Sequence, residues 1–389
     1  AAFFLASTAP HHLKDAPGGA AYLTQDTAKL TRGKEVFADT CARCHSSKGP
    51  SPAPGVDPGG CAGPGYLDCW NKYWAWTKTP EFKQKMRPIV LAPDFLDGNY
   101  LSTELRVPVT LLETNACSPL ATNAIAGNIW DNFSSQSYKT LPSVGTITVH
   151  NPFTGEPWQY TMPAGGRGYT RPASLISLWS TAPYLLNNSV GKFNWEPSVA
   201  KRVDSFQASI EQMLWPEKRQ KDSVLGDKVP GLIDRTSGPS YFRVPAGYLP
   251  DFVRKHPELG TLAKRVTPSI LGEGGIEIGP IPTGTPINLL SNVNLRPDGL
   301  TLPQQLAHDA QLVDLLLKLK LALLQLPANP TEAQTRQAFA PLAKPLLDLS
   351  KCPDFVVNRG HYFGTSYAKG EPALSDADKR ALIEFLKTL

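Results

Sequence analysis

Cys41-Ala42-Arg43-Cys44-His45 is the most informative stretch of this 389-residue sequence. Its C-x-x-C-H spacing is typical of covalent c-type haem attachment. Two thiols separated by two residues can add to the two vinyl groups of one haem, and the histidine that follows is then placed under the iron as an axial ligand. We therefore expect one covalently bound haem c in this chain.

Two other uses of paired cysteines explain the motif less well. A thioredoxin-like redox pair would not need the adjacent His45. A zinc site would need a second pair of ligands at suitable spacing, and Cys61 and Cys69, eight residues apart in a segment rich in glycine and proline, supply it poorly. The haem interpretation uses all three chemically active residues of the motif.

The sequence before the motif predicts a helix that runs from Thr27 to Cys41. Leu30, Gly33 and Phe37 recur at spacings of three and four residues and share one face of this helix.

Near the end of the chain, residues 375–378 resemble a capping box and open a second helix. The apolar residues of this helix at helical spacing are Leu382, Phe385, Leu386 and Leu389. In the cytochrome c fold the first and last helices cross, and a small residue such as Gly33 lets an aromatic such as Phe385 approach closely. We expect a mainly α cytochrome c-type haem domain with large insertions, long irregular loops and little β structure.

The predicted organisation is an N-terminal arm over residues 1–23 and a haem domain over residues 24–389. Residues 46–165 form a loop-rich insertion, and residues 216–350 form a second insertion of loops and leucine-rich helices. The 37 prolines and 31 glycines fit this irregular character. No internal repeat and only one C-x-x-C-H are present.

Periodicity and turn residues predict further elements inside these insertions. They are a short helix from Thr79 to Met86, β structure around 146–149 within residues 141–161, and helices over 197–215, 303–326 and 331–350, the last broken near Pro341 and Pro345. The helix over 303–326 is so rich in leucine that most of its circumference must be covered by protein.

Charge and hydropathy exclude two classes of partner. The net charge is +5, but the 39 basic residues are scattered, which argues against a nucleic-acid partner. No stretch approaches about 18 consecutive apolar residues, so we expect no transmembrane segment. The apolar start, residues 1–6, is too short to span a bilayer and lacks a basic region, and we expect any signal peptide to be already removed.

Four segments together resemble a known family. They are residues 32–37, 41–47, 171–190 and 374–386, with Ser174-Leu175-Ile176-Ser177-Leu178-Trp179-Ser180-Thr181-Ala182-Pro183-Tyr184 the most specific stretch. Their order is similar to the C-terminal haem half of the di-haem cytochrome c peroxidase superfamily, and most similar to its di-haem rubber oxygenase-like members. The resemblance implies a haem that transfers electrons or supports a second haem. The family's N-terminal half, which carries a C-x-x-C-H motif of its own, is absent from this sequence. We therefore expect a redox partner protein or a second haem domain outside this sequence.

The sixth iron ligand decides between electron transfer and catalysis, since a vacant position permits binding of oxygen or peroxide. The resemblance places the second axial ligand at His361, in a Gly-His sequence shortly before the last helix. Met162, which precedes a proline, is the main alternative ligand. Arg167 and Arg171 are candidates to pair with haem propionates, although a solvated arginine explains each equally well.

The remaining histidines and aromatics have simpler interpretations. Surface positions explain the histidines better than iron ligation does; these are His11, His12, His256 and His308. Four aromatic residues are candidates for electron transfer or haem shielding, but core packing is the favoured interpretation. They are Trp70, Tyr73, Trp74 and Trp76.

Covalent haem c is assembled outside the cytoplasmic membrane, so we expect a periplasmic or extracellular protein. The four cysteines outside the motif then predict two disulfides, Cys61–Cys69 and Cys117–Cys352. The predicted function is electron transfer through a six-coordinate haem. Catalysis at this iron, as a peroxidase or a dioxygenase, is the alternative, and a structural haem subunit is a weaker one.

Overall fold

The computed structural model describes residues 11–114, 135–185, 188–250, 252, 275–297, 300–350 and 361–389. Over these residues the chain is mainly α, as predicted, with short strands and long connections. The helices are α1 (Thr27–Thr40), α2 (Tyr66–Thr77), α3 (Pro80–Leu91), α4 (Val109–Leu112), α5 (Gln136–Lys139), α6 (Val199–Leu214), α7 (Ile287–Ser291), α8 (Leu302–Gln325), α9 (Glu332–Phe339), α10 (Ala343–Asp348) and α11 (Asp376–Leu386).

The strands pair two by two, and each pair is antiparallel. They are β1 (Val107–Pro108), β2 (Thr146–His150), β3 (Pro157–Thr161), β4 (Tyr169–Thr170), β5 (Ser240–Val244) and β6 (Ile276–Ile281). β1 pairs with β4, β5 pairs with β6, and β2 and β3 form a hairpin in which Thr146 lies opposite Thr161. The hairpin confirms the β structure predicted within residues 141–161.

The predicted contact between the first and last long helices is confirmed. α1 packs against α11, and a Cβ atom added at Gly33 would overlap the carbonyl oxygen of Ala381 and lie 3.0 Å from Cβ of Phe385. The ring of Phe37 meets the ring of Phe385 edge to face at 5.2 Å. Glycine at position 33 is therefore required by the close approach of the two helices.

Two hydrophobic cores divide the described structure. The first, which we call the terminal-helix core, unites α1, α3, α6 and α11 through residues that include Phe37, Phe82, Met86, Phe206, Ile210, Leu382 and Phe385. The second, which we call the hairpin core, unites α2, β1 to β4 and α8 to α10 through residues that include Trp70, Val107, Val149, Tyr169, Leu315, Leu319 and Phe339. The C-x-x-C-H motif joins them, because Cys41 packs against the first core and Cys44 belongs to the second.

Several helix boundaries differ from the prediction. α3 begins after the Thr79 cap, as predicted, but continues past Met86 to Leu91 with Pro88 inside it. The predicted helix over 331–350 breaks at Pro341, in a 3₁₀ turn, but not at Pro345, which α10 accommodates in its first turn. α2 was not predicted from the sequence.

The predicted burial of the leucine-rich helix is wrong. α8 buries one face, which carries Leu312, Leu315, Leu319 and Ala322, but leaves its opposite face exposed. Among the described residues, no helix combines the length and apolar character needed to cross a bilayer.

Candidate functional site

The C-x-x-C-H motif forms a tight turn at the carboxyl end of α1. The backbone N–H of Cys41 donates to the carbonyl of Phe37 at 2.8 Å, which continues the hydrogen bonding of the helix. The N–H groups of Cys44 and His45 both donate to the carbonyl of Cys41, at 3.1 and 3.0 Å. The turn therefore holds the two thiols and the imidazole in a compact arrangement.

His45 is oriented by a backbone carbonyl from a distant part of the chain. Nδ1 of His45 lies 3.0 Å from the carbonyl oxygen of Ala173, where a ring N–H donates. A backbone hydrogen bond to Leu101 also acts on the His45 ring. A metal would be ligated through Nε2, since ligating histidines commonly have their other ring nitrogen held by a carbonyl in this way. Ala173 belongs to the segment 171–190, which the resemblance singled out.

The carbonyl of Ala173 is itself held in place by a neighbouring loop. The hydroxyl of Ser102 donates to the carbonyl of Pro172 at 2.6 Å, and the hydroxyl of Ser174 donates to the carbonyl of Tyr100 at 2.7 Å. These bonds on both sides of Ala173 fasten its segment to residues 100–102. The His45 ring is thus supported through two layers of hydrogen bonds.

The structure brings His361 to His45 across 316 residues of sequence. Their ring centroids are 6.3 Å apart, with the ring planes at 44°. Two imidazoles bound to opposite sides of one metal ion have centroids about 6 Å apart, from two metal–nitrogen bonds of about 2 Å and two nitrogen-to-centroid distances of about 1 Å. The centroid spacing of His45 and His361 therefore matches that of two imidazoles that ligate one metal ion.

Both imidazoles are neutral over the physiological pH range. Desolvation lowers the pKa of His45 to about 4 and is partly opposed by the backbone hydrogen bonds to its ring. Desolvation also lowers the pKa of His361 to about 3, with further lowering by His45 and the charge of Arg219. Neutral imidazole is the form that ligates a metal, so both rings are in the competent protonation state.

The two motif cysteines are free thiols and are not activated for redox chemistry. Cys41 and Cys44 form no disulfide. Desolvation raises the pKa of Cys41 to about 12 and that of Cys44 to about 11, in both cases against the charge of Arg43. Reactive thiol pairs have lowered pKa values, which argues against a thioredoxin-like role for this pair.

Arg43, between the two cysteines, is a buried cation with a complete set of partners. Its guanidinium donates to both carboxylate oxygens of Glu371, one of them at 2.9 Å. It also lies over the rings of Trp74, at 4.9 Å, and Phe363, at 5.3 Å. The ring of Phe363 meets that of His361 at 5.0 Å. Arg43 therefore connects the motif to the segment that carries His361.

Arg219 is a second buried cation at this site, and sequence reasoning missed it. Its residue surface is 6% exposed, its Nε donates to the carbonyl of Gln212 at 2.6 Å, and its Nη2 donates to the carbonyl of His361 at 3.2 Å. Nη1 is buried and has no hydrogen-bond partner among the described residues, and no carboxylate there lies within ion-pair distance of the guanidinium. The guanidinium also lies over the ring of Tyr362, at 4.6 Å. Desolvation lowers the pKa of Arg219, and Tyr362, Tyr367 and Asp227 act against this lowering. A buried guanidinium without a paired carboxylate is suited to an anion.

The two arginines proposed from sequence lie in more exposed positions. Arg171 is about half exposed and pairs with Glu104 at 3.2 Å. Arg167 is partly buried in the turn between β3 and β4. Burial raises the pKa of the neighbouring Tyr160, and the charge of Arg167 acts against this rise.

Met162 lies at the end of the β2–β3 hairpin, within the hairpin core. It is 1% exposed, and its Cε would lie 3.0 Å from a Cβ atom at Gly168. Its backbone N–H donates to the carbonyl of Gly145. These contacts are those of a core side chain, whereas the ring that faces His45 belongs to His361.

The other predicted residues have the following positions. The Cys61–Cys69 disulfide is confirmed, with the two Cα atoms 6.5 Å apart. Cys117, Cys352 and His256 lie outside the described residues, so the second disulfide stays a prediction. His11 is exposed and His12 is partly exposed. The predicted surface position of His308 on α8 is wrong, because its side chain is 12% exposed and both ring nitrogens are buried without a hydrogen-bond partner among the described residues. Nδ1 of His308 lies 3.7 Å from the carboxylate of Asp309.

The four aromatics of α2 mostly contact one another and the cores. Trp70 and Trp74 are buried in the hairpin core, while Trp76 packs on Phe82 with ring centroids 5.0 Å apart. The ring of Tyr73 lies 5.5 Å from Trp70, and desolvation raises the pKa of Tyr73 to about 12. Trp74 contacts the site through Arg43 and Phe363.

No protein-family model matches the chain, and neither a curated protein nor a solved structure matches it.

Proposed function

We propose that this protein is a mono-haem c-type cytochrome that transfers electrons through an iron ligated by His45 and His361. The observation that carries the proposal is the facing pair of neutral imidazoles, 6.3 Å apart, directly beside the C-x-x-C-H turn. Thioether bonds from Cys41 and Cys44 would hold the haem covalently. Bound there, it would supply a one-electron redox couple.

The chain's own residues do three things at this site. His45 and His361 would both ligate the iron, and a haem held in this way would have no open position for oxygen, peroxide or carbon monoxide. The carbonyl of Ala173 holds Nδ1 of His45 and would strengthen the donation of this ring to a metal. Neither ring would have to release a proton to ligate a metal, because desolvation already keeps both neutral.

Arg219 is proposed to pair with a haem propionate. Its guanidinium is anchored on the carbonyl of His361, so it lies next to the axial ligand, and its Nη1 is free to donate. An arginine and a carboxylate form strong charge-assisted hydrogen bonds, and burial strengthens them. This role takes the place that sequence reasoning gave to Arg167 and Arg171.

The resemblance to the di-haem cytochrome c peroxidase superfamily supports the same class of function. Ala173, which holds His45, lies in the resembling segment 171–190, directly before its most specific stretch, and His361 stands where the rubber oxygenase-like members place their second histidine. We propose a periplasmic or extracellular location, and as partner a redox protein or a second haem domain. The cytochrome c-type fold is part of this proposal, supported by the packing of α1 on α11 at Gly33.

Intact-mass measurement together with absorption spectra tests the proposal. We expect one covalent haem per chain and low-spin spectra in both oxidation states, unchanged by carbon monoxide. A mass without haem would contradict the cytochrome assignment. A high-spin spectrum with peroxide reactivity would instead favour the catalytic alternative.

A further inference from the structure

Helix α8 has two apolar faces, and the described residues cover only one of them. Six large apolar residues on the opposite face are substantially exposed, from 40% at Val313 to 73% at Leu302. We call them the α8 stripe: Leu302, Leu306, Val313, Leu317, Leu321 and Leu324. Single exposed hydrophobics are normal on a monomer, but a continuous row of six indicates an interaction surface.

The spacing of the α8 stripe is that of a helix–helix seam. Its residues are separated by three or four positions, with exposed Ala310 filling the interval between Leu306 and Val313. Repeats of three and four are the pattern by which two long helices pack side by side. At 1.5 Å per residue the stripe is about 33 Å long, enough for several layers of contact.

The charged residues beside the stripe favour a second copy of α8 in the antiparallel direction. Asp314 and Lys318 lie on the same flank, both exposed, and form an i,i+4 ion pair at 2.7 Å. In an antiparallel pair related by a twofold axis, like flanks face each other. With the axis level with Leu316, Asp314 of one copy lies level with Lys318 of the other, and the reverse. In a parallel pair, the flank that carries Asp314 and Lys318 faces the other flank of the second copy, so Asp314 and Lys318 of the two copies do not meet.

We propose that the α8 stripe is a homodimer interface in which two copies of α8 pack antiparallel. The stripe shows no net basic flank, since Asp309 and Asp314 accompany Lys318 and Lys320. A helix that lies on an anionic bilayer carries mostly lysine and arginine at its flanks, so the charges favour protein over lipid. The inference is independent of the haem proposal.

Sedimentation equilibrium of the purified full chain tests this interface. We expect a dimer, and we expect Leu317→Glu to weaken it about tenfold or more, because each interface would bury two carboxylates in an apolar seam. Leu232→Glu is the matched control, since Leu232 is similarly exposed, at 53%, but lies outside α8. Far-UV circular dichroism verifies that both variants keep the fold.

The orientation has its own test. Asp314→Lys and Lys318→Asp should each weaken self-association, since each places like charges opposite one another across the twofold axis. A mixture of the two variants should form a heterodimer, because one copy then carries two lysines and the other two aspartates. Loss of the ion pair within one helix would weaken both variants, but it would not make the two variants prefer each other over themselves. Equal weakening without heterodimer formation would contradict the antiparallel arrangement.

Different experimental results are expected if the α8 stripe binds something other than a second copy of this chain. A wild-type chain that stays monomeric at all concentrations, or a Leu317→Glu variant that dimerises like wild type, would overturn the proposal. Co-sedimentation of monomers with phosphatidylcholine vesicles, abolished by Leu317→Glu, would also overturn it and identify a lipid surface instead.

Discussion

His45 and His361 face each other at one site, yet the protein holds the two rings differently. His45 follows a hydrogen-bonded turn, and its Nδ1 is fixed by the carbonyl of Ala173. Nδ1 of His361 is buried and has no hydrogen-bond partner among the described residues; packing against Phe363 and the bond from Arg219 to its carbonyl position it instead.

A substitution at one histidine should therefore have a different effect from a substitution at the other. In the proposed cytochrome, the His45 side would combine covalent attachment, turn geometry and a ring hydrogen bond, so its loss would remove several supports together. The His361 side would contribute one ligand held in place by packing, so its loss should open the iron while leaving the haem in place.

Replacing His45 should have the most severe consequence. We expect His45→Ala to lose most of its haem-loaded protein, because the motif then lacks the ligand that lies under the iron. Intact-mass measurement of the purified chain gives the fraction with covalent haem. Full haem loading with an unchanged low-spin spectrum would show that His45 is not an iron ligand.

Replacing His361 should leave covalent attachment intact and change the spin state. We expect His361→Ala to become high-spin and to bind carbon monoxide, because the sixth position opens. Met162→Ala is the control: it should lose about 2–5 kcal/mol of stability through a core cavity but stay low-spin. The reverse outcome, with Met162→Ala high-spin and His361→Ala unchanged, would move the ligand to Met162.

Stability should fall with decreasing pH between about 6.5 and 4. Both histidines have lowered pKa values in the folded protein, so the unfolded chain binds more protons in this window. Each ring contributes up to about 1.4 kcal/mol per pH unit, and iron binding acts in the same direction because it competes with protons. Denaturant unfolding at pH 7, 6 and 5 measures the slope. A free energy of unfolding that does not change over this range would contradict neutral rings.

The smallest effect concerns the cation beside His361. Arg219→Leu should lower the midpoint potential by a few tens of millivolts, because a positive charge near the iron favours the reduced state. Arg171→Leu is the matched control and should shift the potential less, since Arg171 is half exposed and paired with Glu104. A larger shift for Arg171→Leu would return the propionate role to the arginine proposed from sequence.

The terminal-helix core could be predicted from sequence because its information is local. The periodicity of α1 and α11, and the single small residue Gly33, specify two helices and their contact. α2 was missed because a glycine- and proline-rich loop precedes it and its aromatic residues carry weak helical preference. Its stability comes from burial in the hairpin core, which involves residues distant in sequence.

The candidate site was partly accessible from sequence for the same reason. The C-x-x-C-H motif is local, and His361 came from a resemblance. The roles of Ala173 and Arg219 depend on a backbone carbonyl and on burial, neither of which residue type reveals. A basic residue near His361 in space, but 142 positions away in sequence, gives no signal before the chain is folded.

Near-infrared magnetic circular dichroism of the oxidised protein tests the central claim most directly. The charge-transfer band of a low-spin ferric haem reports the identity of both axial ligands. We predict the band position of bis-histidine ligation, and its loss in His361→Ala. A band at the position of histidine–methionine ligation, or a high-spin spectrum of the unmodified protein, would contradict ligation by His45 and His361.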